Sequence, residues 1–283
     1  MAIRDPWRRG TRRSALMGVA LLGSILGAAC AEAPIAIATT STSTTTTAST
    51  DAPPLDVELI RPGLYRIEGA GGSTLLRTGP DGVVLVDSKR AGAFGPLMAE
   101  IRRIAKTADP QVRAVFLTAA GPEQAGNVAS FSGAGIPVIV QKRVADRLKD
   151  DAQARGAPPP GSLVTFDHDH LLYMAGYQVE AEHVGRGRTG SDSVVLFRDL
   201  RVLAVGGLYT AGTPAPDCAS GGSFAGWAAA IAHLSWFDFD VAVPSRGAPV
   251  SKAELTAFKA RLEALAARGA AGAAGSSGCP QPR

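Results

Sequence analysis

The sequence predicts an α/β domain built from two sheets packed face to face, with helices on the outside. Two observations carry that reading. Strand patterns followed by helix patterns run through two successive halves of the chain, so each half supplies a sheet and its own covering helices. The 283 residues, 46% of them hydrophobic, are also enough to bury a full core.

The elements follow in order. LDVELIRPGLYRIEG, STLLRTG and GVVLVDS read as strands, with GPDG as the turn between the last two. FGPLMAEIRRIAKTA places Leu97, Ile101 and Ile104 at i, i+4 and i+7, the spacing of one helical face. VRAVFLT is a buried strand, followed by a loop of small residues and a helix start. IPVIV is a further strand, and KRVADRLKDDAQA a polar helix. The second half is expected to repeat the scheme: SLVTF, LLYMAG, YQVEAEHV, SVVLF and RVLAVGG are strands. Ser223 is the expected N-cap of the helix beginning GGSFAGW. VAVPS is the last strand. Ser251 and Glu254 form a capping box ahead of a helix that carries Leu255, Phe258, Leu262 and Leu265 on one stripe.

Composition sets the boundaries. Residues 1–31 combine Arg4, Arg8, Arg9, Arg12 and Arg13 with a short apolar run and small residues, the make-up of an export signal. TRRSAL resembles a twin-arginine signal, with Ala15 where phenylalanine is usual. Cleavage after Ala31 is expected, and Cys30 in GAAC is the alternative, a lipid anchor. The apolar run falls short of the roughly 20 residues of a membrane span. Residues 32–54 form a Ser/Thr-rich linker, residues 55–268 one folded domain, and residues 269–283 a low-complexity, disordered tail. The expected location is therefore outside the cytoplasm, in the periplasm or associated with the cell envelope.

Net charge is +4, from 29 basic and 25 acidic residues. The leader's five arginines and one aspartate account for the excess, leaving 24 of each sign, so nothing points to nucleic acid. Cys218 and Cys279 could pair in an exported protein, although the composition of the tail argues against a fixed geometry there. No cysteine and histidine spacing suggests a zinc ribbon.

Four segments, in order, resemble the loops of the metallo-β-lactamase family. FLTAAGPEQAGN resembles T-H-x-H-x-D-H-x-G-N. VGRGRTGSDSVVLF resembles G-R-x-H-T-G-x-D-x-V-V, VLAVGGLYT resembles V-L-x-x-G-D-L, and VAVPSRGAPV resembles V-V-P-G-H-G-x-V. PDCASGGSFAGW resembles a further segment of that family. The resemblance covers nearly all of residues 55–268 and implies an αββα four-layer sandwich of the metallo-β-lactamase type. It also implies that the seven metal-ligand positions fall on Ala119, Gly121, Glu123, Gln124, Arg188, Gly207 and Arg246.

Those residue types do not make a zinc site. Zinc takes imidazole, thiolate or carboxylate donors. Ala119, Gly121 and Gly207 offer none, Gln124 offers a neutral amide, and Arg188 and Arg246 bring positive charge. Only Glu123 keeps a carboxylate. Zinc is expected to be absent, and with it the bound water whose pKa a metal lowers from near 16 to roughly 7. No catalytic residue is therefore assigned.

The expected function is that of a non-catalytic relative whose old cleft, lined by Arg188, Arg246, Glu123 and Gln124, binds an anionic small molecule. An Arg–Glu–Arg plug that binds nothing is an equal reading. A hydrolase with an unconventional metal site is the alternative, and a purely structural envelope protein is a third class. His168 and His170, expected on one face of a strand with Asp169 on the other, are the best remaining metal-like pair. A solvated strand edge explains them more simply. His183 is expected near the rim of the old site and His233 in the fabric of its helix. GGSF reads as a helix cap rather than a nucleophile elbow, and Cys218 has no base beside it in sequence. No protein partner is identified.

Overall fold

The structure, a computed structural model, describes residues 54–161, 163–271 and 279. The export signal, Cys30, nearly all of the linker and most of the tail lie outside the described residues.

The first sheet has seven strands in sequence order: β1 (Asp56–Arg61), β2 (Leu64–Glu68), β3 (Thr74–Gly79), β4 (Gly82–Val86), β5 (Val112–Phe116), β6 (Val138–Gln141) and β7 (Leu163–Phe166). Hairpins join β1 through β4, and the β3–β4 turn is only Pro80–Asp81, between paired Gly79 and Gly82. From β4 onward the strands are parallel. Each parallel step needs a crossover. These are α1 (Phe94–Ala105), then α2 (Pro122–Ala125) with α3 (Val128–Gly133), then α4 (Lys142–Ala154). The second sheet comprises β8 (Asp169–Met174), β9 (Tyr177–His183), β10 (Ser193–Phe197), β11 (Val202–Gly206) and β12 (Val241–Pro244), in the order β12-β11-β10-β9-β8. It is antiparallel except for the β11–β12 pair, which is bridged by α5 (Phe224–His233). Helix α6 (Lys252–Ala271) is the last helix among the described residues.

Alternation along the central strands explains the layering. Val84, Val86, Ala114 and Phe116 face Val195, Phe197, Val202 and Ala204 between the sheets. Their neighbours Val83, Leu85, Val115 and Leu117 pack outward under α1, α3 and α4. On the far side Val194, Leu196, Leu203 and Val205 pack against α5 and α6. A strand buried on both faces needs apolar residues at every position. Each fully buried side chain of this size contributes about 1.5–3 kcal/mol. The helix ends are fixed as their sequences specify: Ser223 Oγ accepts from Gly226 N at 3.1 Å, while Ser251 N donates to Glu254 Oε2 at 2.7 Å. Among the described residues no helix is long and apolar enough to cross a membrane.

Four expectations need correction. SLVTF does not open the second sheet; as β7 it pairs in parallel with β6 and ends the first. His168 lies before β8 rather than on one face of it with His170. The His170 ring packs near Phe116 and Phe166, and its pKa is lowered by burial. Helix α6 runs to Ala271, past the expected domain end at 268. Finally, Cys218 and Cys279 form a disulfide with Cα atoms 5.2 Å apart, so covalent closure fixes this tail residue where composition alone would not.

Candidate functional site

The parallel strands β4, β5, β11 and β12 end at one edge of the sandwich, where crevices of α/β sheets form. The loops that follow β5, β11 and β12, with the β9–β10 loop, surround a cleft of about 380 Å³. Gly121, Glu123, Gln124, Arg188, Gly207 and Arg246 all line it, so six of the seven positions implied by the resemblance converge. Ala119 is buried just behind them.

Asp87, after β4, is buried and fixes the start of the loop that follows β5. It accepts from Thr118 N at 2.8 Å and from Thr118 Oγ1 at 2.8 and 3.0 Å. Burial outweighs these bonds and pushes its pKa up to about 7. Lys89, fully buried, donates to the carbonyls of Ile67, Gly69 and Gly72 at 2.7–3.0 Å and so holds the β2–β3 loop. Burial lowers its pKa to about 8, against the raising influence of Glu68 and Asp87. Asn127 Nδ2 bonds the carbonyls of Ser88 and Arg90, each at 2.6 Å. Ser73 N donates to Ser245 O at 2.7 Å. The rim of the cleft is thus stitched together through backbone carbonyls.

The Arg188 loop is held by its own aspartate. Buried Asp192 accepts from Thr189 N at 2.6 Å, with its pKa pushed up to about 6 by burial. Asp217 N donates to Arg188 O at 2.8 Å. Gly222 passes so close that a Cβ there would lie 2.0 Å from Arg188 O. The Arg188 backbone is therefore fixed, whereas among the described residues its guanidinium has no carboxylate within ion-pair distance. A Cβ built at Gly207 would sit 3.5 Å from Arg188 Cδ, so the arginine lies over the place where an aspartate side chain would project.

Glu123 is committed. Arg246 Nε donates to its Oε2 at 2.7 Å, with a second bond from Nη2 to Oε1, and Arg90 Nη2 also reaches Oε1, at 2.9 Å. Burial would raise the Glu123 pKa, but the bonds from Arg246 and Arg90 overcome it and hold the carboxyl below its usual range. Arg188 and Arg246 share the cleft, yet the second guanidinium on Glu123 is Arg90. Sequence comparison missed Arg90 because it follows β4 and lies in none of the four matched segments. Gln124 is committed too: its Nε2 donates to Ser245 Oγ at 2.8 Å. Its Oε1 lies 2.5 Å from where a Cβ of Gly121 would be, filling the space of a side chain at 121.

The donor set does not fit zinc. Glu123 carries the set's only carboxylate, and both of its oxygens are bonded to guanidiniums. Among the described residues no group of three or more His, Cys, Asp or Glu could hold a metal ion. His183 Nδ1 lies 2.8 Å from Asp192 O and His233 Nε2 lies 2.6 Å from Glu182, so each has a local partner.

No sequence model of a protein family matches the chain, and no curated protein matches its sequence. Solved structures do match its fold. A metallo-beta-lactamase from Pontibacter korlensis superposes with a TM-score of 0.63 at 21% identity, covering 74% of this chain and 99% of the other. The metallo-beta-lactamase FIM-1 from Pseudomonas aeruginosa, in a mono-zinc form, gives 0.60 at 20% identity, with coverages of 74% and 94%. One from Hirschia baltica gives 0.60 at 19%, with coverages of 74% and 97%. The architecture of this chain is the metallo-β-lactamase fold.

Proposed function

We propose that this chain of metallo-β-lactamase fold is a non-catalytic, exported relative of the metallo-hydrolases, and that its cleft binds an anionic small molecule at Arg188. The observation that carries the proposal is the division of charge in the cleft. Glu123 is taken up by Arg246 and Arg90, which leaves Arg188 as a cation on a rigid backbone beside open volume. A half-buried guanidinium facing a cavity attracts a carboxylate or phosphate strongly, because its planar fork bonds both oxygens at once. The 380 Å³ of space argues against the sealed-plug reading. On this proposal the protein carries no zinc, since one committed carboxylate cannot replace three or four ligands.

Two measurements test the reading. The chain purified with zinc supplied should hold far less than one equivalent after dialysis; stoichiometric zinc by elemental analysis would restore the alternative of a hydrolase with an unconventional metal site. Gly207→Asp should place a carboxylate against Arg188 and abolish binding of simple anions followed by tryptophan fluorescence, with Trp227 lining the cleft as reporter. Undiminished binding in that variant would refute the role given to Arg188.

A further inference from the structure

A second cavity, of about 330 Å³, opens beside the cleft and shares Gly121, Pro122 and Arg188 with it. Arg143 and Arg147, from α4, and Arg186 join Arg188 in its wall, against Asp151 and Asp217. Asp151 is matched by an arginine, whereas Asp217 keeps its charge and offsets one guanidinium of the wall. Asp151 pairs with Arg147 at 3.0 Å, and Asp217 accepts from Ser220 Oγ at 2.7 Å and Ser220 N at 3.1 Å. The other contacts of the arginines are to neutral groups: Arg143 Nη1 to Gly190 O at 3.2 Å, and Arg186 Nε to Gly221 O at 2.9 Å. A carbonyl orients a guanidinium without cancelling its charge. Among the described residues Arg143, Arg186 and Arg188 therefore have no ion-pair partner, and each keeps most of its five N–H donors free.

We propose that this pocket is a phosphate subsite, and that the ligand is a phosphorylated small molecule whose phosphate sits among Arg143, Arg186 and Arg188 while its body extends past Arg188 into the cleft. The inference rests on the anion-binding role of Arg188 and names the class of anion. Charge decides between the candidates. The wall sets four guanidiniums against two carboxylates, a surplus of two positive charges; a carboxylate ligand brings one negative charge to it, whereas a phosphomonoester brings about −1.5 to −2 and three acceptor oxygens. The shared wall at Gly121, Pro122 and Arg188 makes the two cavities one bent site, so a ligand with an anionic head and an uncharged body spans both.

The test is titration of the full chain with pyrophosphate and inorganic phosphate, at about 50 and 200 mM salt. Arg186→Ala and Arg143→Ala should each weaken pyrophosphate binding at least fivefold. Arg103→Ala, an exposed arginine of α1 that lines neither cavity, should change it less than twofold. The Arg186 side chain is exposed, so its variant should fold unchanged even if Arg143→Ala loosens the Gly190 loop. Binding indifferent to Arg186 and Arg143 but lost in Gly207→Asp would put the anion in the cleft alone. That would overturn the subsite and leave the broader reading standing. Binding of a monocarboxylate that depends on Arg188, with none of phosphate or pyrophosphate, would overturn the subsite in the same way. No anion binding of any kind would overturn both.

Discussion

Replacing Arg246 with alanine separates a pocket from a plug. In a buried Arg–Glu–Arg network, loss of one member strands a charge and costs about 3–5 kcal/mol. The geometry here gives a smaller figure. The Arg246 side chain is 63% exposed and that of Arg90 is 56% exposed, with Glu123 between them at 19%. In Arg246→Ala, Glu123 keeps its 2.9 Å bond to Arg90, so no charge is stranded. What is lost is a mostly solvated ion pair, worth about 1 kcal/mol or less, and half-molar salt should shrink it further. Glu123→Gln is the complementary change. It frees Arg246 and Arg90 and should strengthen anion binding about fivefold, the equivalent of about 1 kcal/mol. Urea unfolding of both variants at low and high salt, with anion titration alongside, reads these quantities. A loss above about 3 kcal/mol in Arg246→Ala, insensitive to salt, would refute the reasoning, as would weaker anion binding in Glu123→Gln.

Three further outcomes are expected. Cys279→Ser, or reduction of the wild-type chain, should lower stability by up to about 4 kcal/mol, the loop-closure entropy for a sequence separation of 61 residues; an unchanged melting temperature would mean the bridge constrains little. Asp87, raised from 3.8 to about 7, and Asp192, raised to about 6, bind protons more tightly folded than unfolded, so their contribution is present at pH 4 and is lost as pH rises to 7. His170 and His183, lowered by burial, act in the opposite sense below pH 6.5, so the clean reading compares wild type with Asp87→Asn, which should flatten the fall between pH 5 and 7. A chelator should leave the melting temperature unchanged, since the core is built by the sheets and helices; a large drop would reveal a metal contributing folding free energy.

The sequence made the layers legible because their causes are local. Val83 to Val86 is apolar at every position, Ser223 and Glu254 mark helix starts, and the β3–β4 turn is spelled out by Gly79 to Gly82. It did not reveal which sheet β7 joins, because pairing with β6 is a long-range choice that Leu163 to Phe166 do not encode. Within the cleft, motif frames located Glu123, Gln124, Arg188 and Arg246 together. They did not reveal Arg90, Lys89 or Asp87, whose importance lies in partners 17 to 33 residues away along the chain. Nor did they reveal that Arg186 and Arg188 meet Arg143 and Arg147 on α4, since that meeting depends on how the β9–β10 loop folds back over the helix.

Glu123, on α2, with its two guanidiniums clasps three separate segments of the chain, at residues 90, 123 and 246. On the proposed reading, that clasp makes a zinc site hard to build here in single steps. A histidine introduced at 246 opens one arm of the clasp and supplies one nitrogen, too few donors to hold zinc. One introduced at 121 must first displace Gln124 from the space it fills, and an aspartate at 207 pairs with Arg188 instead of a metal. Each single substitution removes something the present cleft uses and gains no bound ion. Mutational scans should therefore find every single substitution toward a metal ligand at these positions neutral or harmful, with zinc binding appearing only when several positions change at once.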